Sequence, residues 1–183
     1  MKKLIKLTLG TAVLVACGLS HAAPVYTVNG AGPTPLAGNS ITDTFRGSAS
    51  LSAGICSLNC TLTVTGEVSD TGTQVNLDIY SASSTGSLFL CSLVTFSGFP
   101  WSGSVDYTDL PANANSGQDI EFTIGTVEVD SPCGDCKGDV QVTFNENGAN
   151  PSYFEFAGID GTNCTVSGRL TSLNGNDYDI WNQ

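Results

Sequence analysis

The chain has 183 residues, of which 17 are acidic and 6 basic, giving a formal net charge of −11, and 40% of it is hydrophobic. That length suits one domain with a real core. The acid surplus excludes nucleic acid and anionic membrane surfaces as partners, because phosphate binding needs clustered Lys and Arg, and leaves neutral, cationic or apolar surfaces and divalent ions.

Lys2, Lys3 and Lys6 precede an apolar run from Leu7 to Leu19, and Ser20-His21-Ala22 puts small residues where a signal peptidase reads. Residues 1–22 are therefore expected to be a signal peptide, with a secreted chain starting at Ala23. The run is shorter than the ~20 residues a spanning helix needs, and no later segment reads as a membrane span. Leu14-Val15-Ala16-Cys17 before Gly18 also reads as a lipobox, so a lipoprotein anchored through Cys17 is the alternative. Beyond Ala22 only Arg46, Lys137 and Arg169 are basic, against all 17 acids.

Residues 23–40 are rich in Gly, Pro and small polar side chains and form an N-terminal arm with at most one short edge strand. Period-two alternation then dominates. In 60–68, Cys60, Leu62, Val64 and Val68 share a face, opposite Thr61, Thr63, Thr65 and Glu67; in 74–80 the apolar set is Val75, Leu77 and Ile79. Leu88–Phe96 is apolar on both faces and is expected to be a central strand. Ile120, Phe122 and Ile124 share a face, but Val127 and Val129 are out of phase with them, so a β-bulge is expected at Gly125. Val140, Val142 and Phe144 point inward. Segments 60–66 and 164–168 look alike, as two matched strands would. Turn chemistry lies at 69–72, 145–148 and 160–163. No window has a helical period. The expected fold is all-β: a single-domain antiparallel β-sandwich over residues 41–183, immunoglobulin-like or jelly-roll-like.

Six cysteines follow the signal: Cys56, Cys60, Cys91, Cys133, Cys136 and Cys164. An even number in an exported chain reads as three disulfides, with fifteen connectivities open. Cys133-Gly-Asp-Cys136 has redox-motif spacing, yet it lacks the helix that would lower a thiol pKa and has acids beside it that would raise one. A four-thiolate zinc site from Cys56, Cys60, Cys133 and Cys136 is weighed and set below disulfides for the same compartment reason.

A catalytic apparatus is hard to assemble. No histidine follows His21, which removes the commonest base and metal ligand at neutral pH. Lys137 sits in a polar loop, and no Gly-x-Ser-x-Gly elbow or phosphate loop is present. Asp70-Thr71-Gly72 matches an aspartic-protease triplet, but it joins two alternating strands and has no second copy, so it is read as a turn. No enzyme is expected and no catalytic residue is named; a glycosidase carboxylate pair is the residual alternative. No cofactor is expected; besides the zinc reading above, Ca²⁺ at Asn174, Asn176, Asp177 and Asp179 is a metal reading, set below a solvated turn. Trp101, after Phe99-Pro100, is a candidate stacking platform for a ligand, and otherwise a cap on the core.

The order of landmarks resembles the small exported family of alkane-oxidation activator proteins. They are CTLTVTG at 60–66, Leu90-Cys91-Ser92, Phe99-Pro100-Trp101, Ile120–Ile124, Pro132-Cys133-Gly134, Val140–Phe144 and Asn163–Gly168. The resemblance implies a non-catalytic extracellular or cell-surface protein linked to growth on hydrocarbons, surface activity and biofilm matrix. Its partners would be hydrophobic surfaces, matrix components or further copies of itself. An extracellular ligand-binding module for a carbohydrate or apolar molecule is the alternative, and an extracellular hydrolase the third. Cys56 and Cys136 depart from the family pattern. The resemblance thus implies pairing among Cys60, Cys91, Cys133 and Cys164, leaving Cys56–Cys136; Cys60 and Cys164, opening similar strands, would pair, and Cys91 with Cys133. The rival is adjacent pairing, Cys56–Cys60 and Cys133–Cys136.

Overall fold

The computed structural model describes residues 23–86, 89–114, 118–145, 151–159 and 164–183. The expected signal peptide at 1–22, the expected lipobox with Cys17, the expected turn at 160–163 and all but Asn145 of the one at 145–148 lie outside these residues. No helix among the described residues is long and apolar enough to cross a membrane.

The chain is all-β, as its alternation requires. Among the described residues twelve strands run in order: β1 (Pro24–Val28), β2 (Thr34–Pro35), β3 (Ser40–Ala53), β4 (Cys56–Asp70), β5 (Gln74–Thr85), β6 (Thr95–Ser97), β7 (Trp101–Asp106), β8 (Ile120–Asp130), β9 (Cys136–Asn145), β10 (Tyr153–Ala157), β11 (Cys164–Ser172) and β12 (Tyr178–Asn182). Nine of them form one antiparallel sheet in the order β6-β8-β9-β10-β11-β3-β4-β5-β7, and β12-β1-β2 form a second, small sheet. The N-terminal arm is thus structural: β1 pairs along its whole length with β12.

The large sheet curls on itself. Side chains from β4, β5, β7, β8, β9, β10 and β11 all face one interior, where Val64, Leu77, Trp101, Ile124, Val142 and Leu170 meet. At the seam, β7 backs against β8, and a Cβ on Gly103 would stand 2.8 Å from the Thr123 carbonyl oxygen. The hydrogen bonding is therefore that of one rolled, half-barrel sheet, and the expected separation into two facing sheets of a sandwich does not describe it. Curling lets a single sheet bury one face without a second large layer. The small sheet plugs one end, where Tyr178 and Ile180 of β12 pack near Ile41, Phe45 and Phe154. Phe154 meets Phe45 edge-on at 4.6 Å and Phe144 at 4.8 Å.

The phase slip in β8 is a bulge: register shifts between Ile124 and Val127, and Thr126 adopts φ of 58°. Asp139 accepts the freed Thr126 N–H at 3.1 Å. Asp70-Thr71-Gly72 is the expected turn, with the Gly72 N–H donated to Asp70 Oδ1 at 2.7 Å and Thr71 Oγ1 to the Gln74 carbonyl at 3.0 Å.

One strand expectation is overturned. Within Leu88–Phe96, residues Phe89–Leu93 form a 3₁₀ helix, and only Thr95–Ser97 is a strand, at the sheet edge. The run is apolar on both faces because Cys91 and Val94 turn inward while Phe89, Leu90 and Leu93 face solvent.

Candidate functional site

All three disulfides gather at the end of the rolled sheet opposite the plug. They are Cys56–Cys133, Cys60–Cys91 and Cys136–Cys164, with Cα separations of 5.3, 5.6 and 5.9 Å. Three bridges were expected, but neither the pairing implied by the resemblance nor the adjacent rival occurs. The register explains this. β11 lies beside β3, with Cys164 opposite Ala53 on one side and Cys56 opposite Ala53 on the other, so Cys164 never meets Cys60. Cys133 and Cys136 are thereby tied to different strands, which removes the redox-motif and zinc readings.

Cys60–Cys91 pins the 3₁₀ helix to β4. Cys91 is fully buried, whereas Phe89 is 75% exposed, Leu90 40% and Leu93 44%. Ser92 Oγ donates to the Phe89 carbonyl at 2.7 Å, and the Val94 N–H to the Cys91 carbonyl at 3.3 Å. Ile55, at the tip of the β3–β4 hairpin, is fully exposed at the same end. Large apolar side chains held outward side by side on a covalently fixed element offer an apolar contact surface. Sequence reading passed over Phe89, Leu90 and Leu93 because an apolar stretch looks the same whether its second face meets protein or solvent.

Trp101 is a core residue. It is 6% exposed, donates its indole N–H to the Ser97 carbonyl at 2.7 Å, and stacks on Phe99 at 4.4 Å between ring centroids. Its inner face nevertheless lines an apolar cavity in the curl, of about 90 Å³.

The C-terminal cluster does structural work. Asn174 and Asn176 donate their amides to Asp43, at 2.9 and 3.3 Å. Ser172, Tyr178 and the Thr44 N–H add donors to the same carboxylate at 2.6, 2.8 and 2.7 Å. Asp179 instead accepts from Thr27 at 2.9 Å, and Asp177 from Ser152 at 3.4 Å. Burial disfavours the charge on Asp43, but its donors together outweigh burial and hold its pKa below the usual range. Burial first, then Asp43, pushes the Tyr178 hydroxyl pKa up, and burial followed by Asp179 raises Asp177. Among the described residues no group of three His, Cys, Asp or Glu is placed to hold a metal. Asp43 itself went unnamed in the sequence, although its alternation with Ile41 and Phe45 put a carboxylate on an apolar face.

Outside the curl, Asp106, Asp109, Asp119 and Glu121 line an open polar depression beside the seam. Asp106 accepts from Gln74 and Asp119 from Asn145, both at 2.8 Å. Of the basic residues, Lys137 pairs with Glu128, and Arg169 pairs with Glu155 while lying 4.1 Å over the Tyr153 ring.

Comparison with curated proteins and with solved structures finds no match. A family model does match, over residues 1–179: the chain belongs to the PraA/PraB-like family of alkane oxidation protein activators.

Proposed function

We propose that this is an exported, non-catalytic protein that attaches to hydrophobic material such as alkanes at the cell surface or in the extracellular matrix, through its disulfide-tied apolar end. The observation that carries this reading is the 3₁₀ helix that holds Phe89, Leu90 and Leu93 outward while a disulfide anchors its buried Cys91. Removing one such side chain from water is worth about 1.5–3 kcal/mol when complete. Fixing the helix beforehand lowers the ordering cost of attachment. Membership of a family described by alkane oxidation supports the choice of surface. Three disulfides fit an oxidising compartment. The absence of histidine after His21 supports a role without acid–base catalysis.

The test is adsorption to a dodecane–water interface, followed by interfacial tension. Replacing Phe89, Leu90 and Leu93 together by serine is expected to weaken adsorption by about a hundredfold or more, since each 1.4 kcal/mol is a factor of ten. Folding should be unaffected, because these side chains leave the core untouched. Unchanged adsorption by the triple variant would sink this reading.

A further inference from the structure

The interior of the curl holds three adjoining apolar cavities, of about 30, 90 and 40 Å³. They follow one another along the strands. The inner one touches Val68 of β4, the middle one Val64 and Leu62, and the outer one Leu62 and Cys60. Eight strand residues separate Val68 from Cys60, a distance of about 26 Å. Neighbouring cavities share walls: Leu77, Ile79 and Phe154 on the inner side, Phe96, Val129 and Val166 on the outer. The three cavities thus lie in line along the strands, parted by these shared side chains, which must give way for one ligand to span them.

Their lining sets the ligand's chemistry. The middle cavity is walled by apolar side chains alone. At the inner end the one charged neighbour is Asp43, whose two oxygens already take five donors. At the outer end Ser50 and Ser84 are the polar residues, beside Val94 and Cys60. A carboxylate or headgroup carried inside would lose its hydration without compensation. Dry apolar cavities on the scale of about 150 Å³ do bind small hydrocarbons. The outer cavity is lined by Val94, which follows the 3₁₀ helix, and by Cys60, which is disulfide-bonded to Cys91 of that helix.

We infer that the rolled sheet binds a linear, unsubstituted aliphatic chain along its axis, taken in at the disulfide-tied end and lying against Trp101. The ligand class rests on the hydrocarbon reading above, while the binding residues are different ones. The interior then serves as a carrier site, and the exposed end as the contact through which a hydrocarbon phase is reached.

Trp101 and Trp181 are the two tryptophans of the chain. Trp181→Phe leaves Trp101 as the sole tryptophan, and a bromine brought against it quenches the fluorescence excited selectively in tryptophan. Titration of this full-length variant with bromodecane is expected to give saturable quenching that decane reverses and cyclohexane reverses less well. Val140→Phe, which fills the middle cavity, is expected to weaken binding by about tenfold or more, the scale of a methylene's fit in an apolar pocket. If circular dichroism shows that Val140→Phe does not fold, Val166→Leu narrows the passage to the outer cavity with less intrusion and is expected to act in the same direction. Absence of saturable quenching, or quenching indifferent to decane and to the filling variants, overturns the inference. Loss of binding in filled variants that still adsorb to dodecane supports a separate interior site. Loss of adsorption in the Phe89/Leu90/Leu93 variant with quenching retained leaves the interior site standing.

Discussion

Asp43 ties three parts of the chain together. It sits on β3, and its donors come from Ser172 on β11, from Asn174 and Asn176 in the following turn, and from Tyr178 on β12. Burial by itself raises the pKa of a carboxylate on this face. With those donors the pKa falls below the ordinary value of 3.8, so the ionised form is bound more tightly in the folded chain than in the unfolded one. The resulting stabilisation is complete above that ordinary value and is lost as pH falls through the lowered one. Tyr178 has the opposite sign. Its raised pKa contributes stability below the ordinary 10.0, lost as pH climbs through the raised value. Urea unfolding across the pH range should therefore show an acid-side and an alkaline-side decline. Asp43→Asn should remove most of the acid-side decline and cost about 1–3 kcal/mol at neutral pH, where donors are left without an acceptor. An acid profile unchanged in Asp43→Asn would show that other carboxylates set it.

At the scale of elements, the seam between β7 and β8 depends on a missing side chain. Gly103 faces the Thr123 carbonyl so closely that even a methyl group must push backbone aside. Gly103→Ala is expected to cost roughly 1–3 kcal/mol by overpacking, read as a lower thermal midpoint. Gly32→Ala, at a position with open space around it, should be near neutral. The 3₁₀ helix depends on a covalent tie instead. Its five residues are too few to hold a helix in water unaided. Replacing Cys60 and Cys91 by alanine opens a loop with a sequence separation of 31, worth about 4 kcal/mol on the chain-entropy formula. That variant should unfold at lower urea and also adsorb to dodecane less tightly, because Phe89, Leu90 and Leu93 lose their fixed presentation. Reduced stability with full adsorption would detach the disulfide from the surface role.

The whole molecule is an acidic body with an apolar end. Arg46, Lys137 and Arg169 answer all 17 acids once residues 1–22 are set aside, and two of these three sit in exposed ion pairs of small energetic weight. Like-charged copies repel over about 30 Å at 0.01 M salt and about 8 Å at 0.15 M. Packing at an interface, where apolar ends face the oil and acidic bodies crowd together, should therefore tighten with salt. Millimolar Ca²⁺ should do more than equal ionic strength of Na⁺ by bridging carboxylates. Particle size and interfacial coverage, with Ca²⁺ and with chelator, check both expectations. Coverage independent of ionic strength would place the charge outside the adsorption step.

Local chemistry made much of the fold legible before any tertiary contact was known. Alternation located β5, the inner faces of β8 and β9 and part of β4, and the shift from Ile124 to Val127 located the bulge, because side-chain period in a strand is a property of consecutive residues. Asp70-Thr71-Gly72 declared its turn for the same reason, and the even cysteine count declared three bridges. Partner identity is not local. Which strand lies beside β3 decided that Cys164 faces Ala53 and bonds Cys136, and no spacing along the chain contains that neighbour relation. The roll of the sheet, which gathers Trp101 and the valines of β9 around one axial space, depends on Gly103 meeting Thr123, two residues from different strands. Phe89, Leu90 and Leu93 read as core by composition; only the tertiary structure turned them outward, because the disulfide that buries Cys91 sets the helix's orientation.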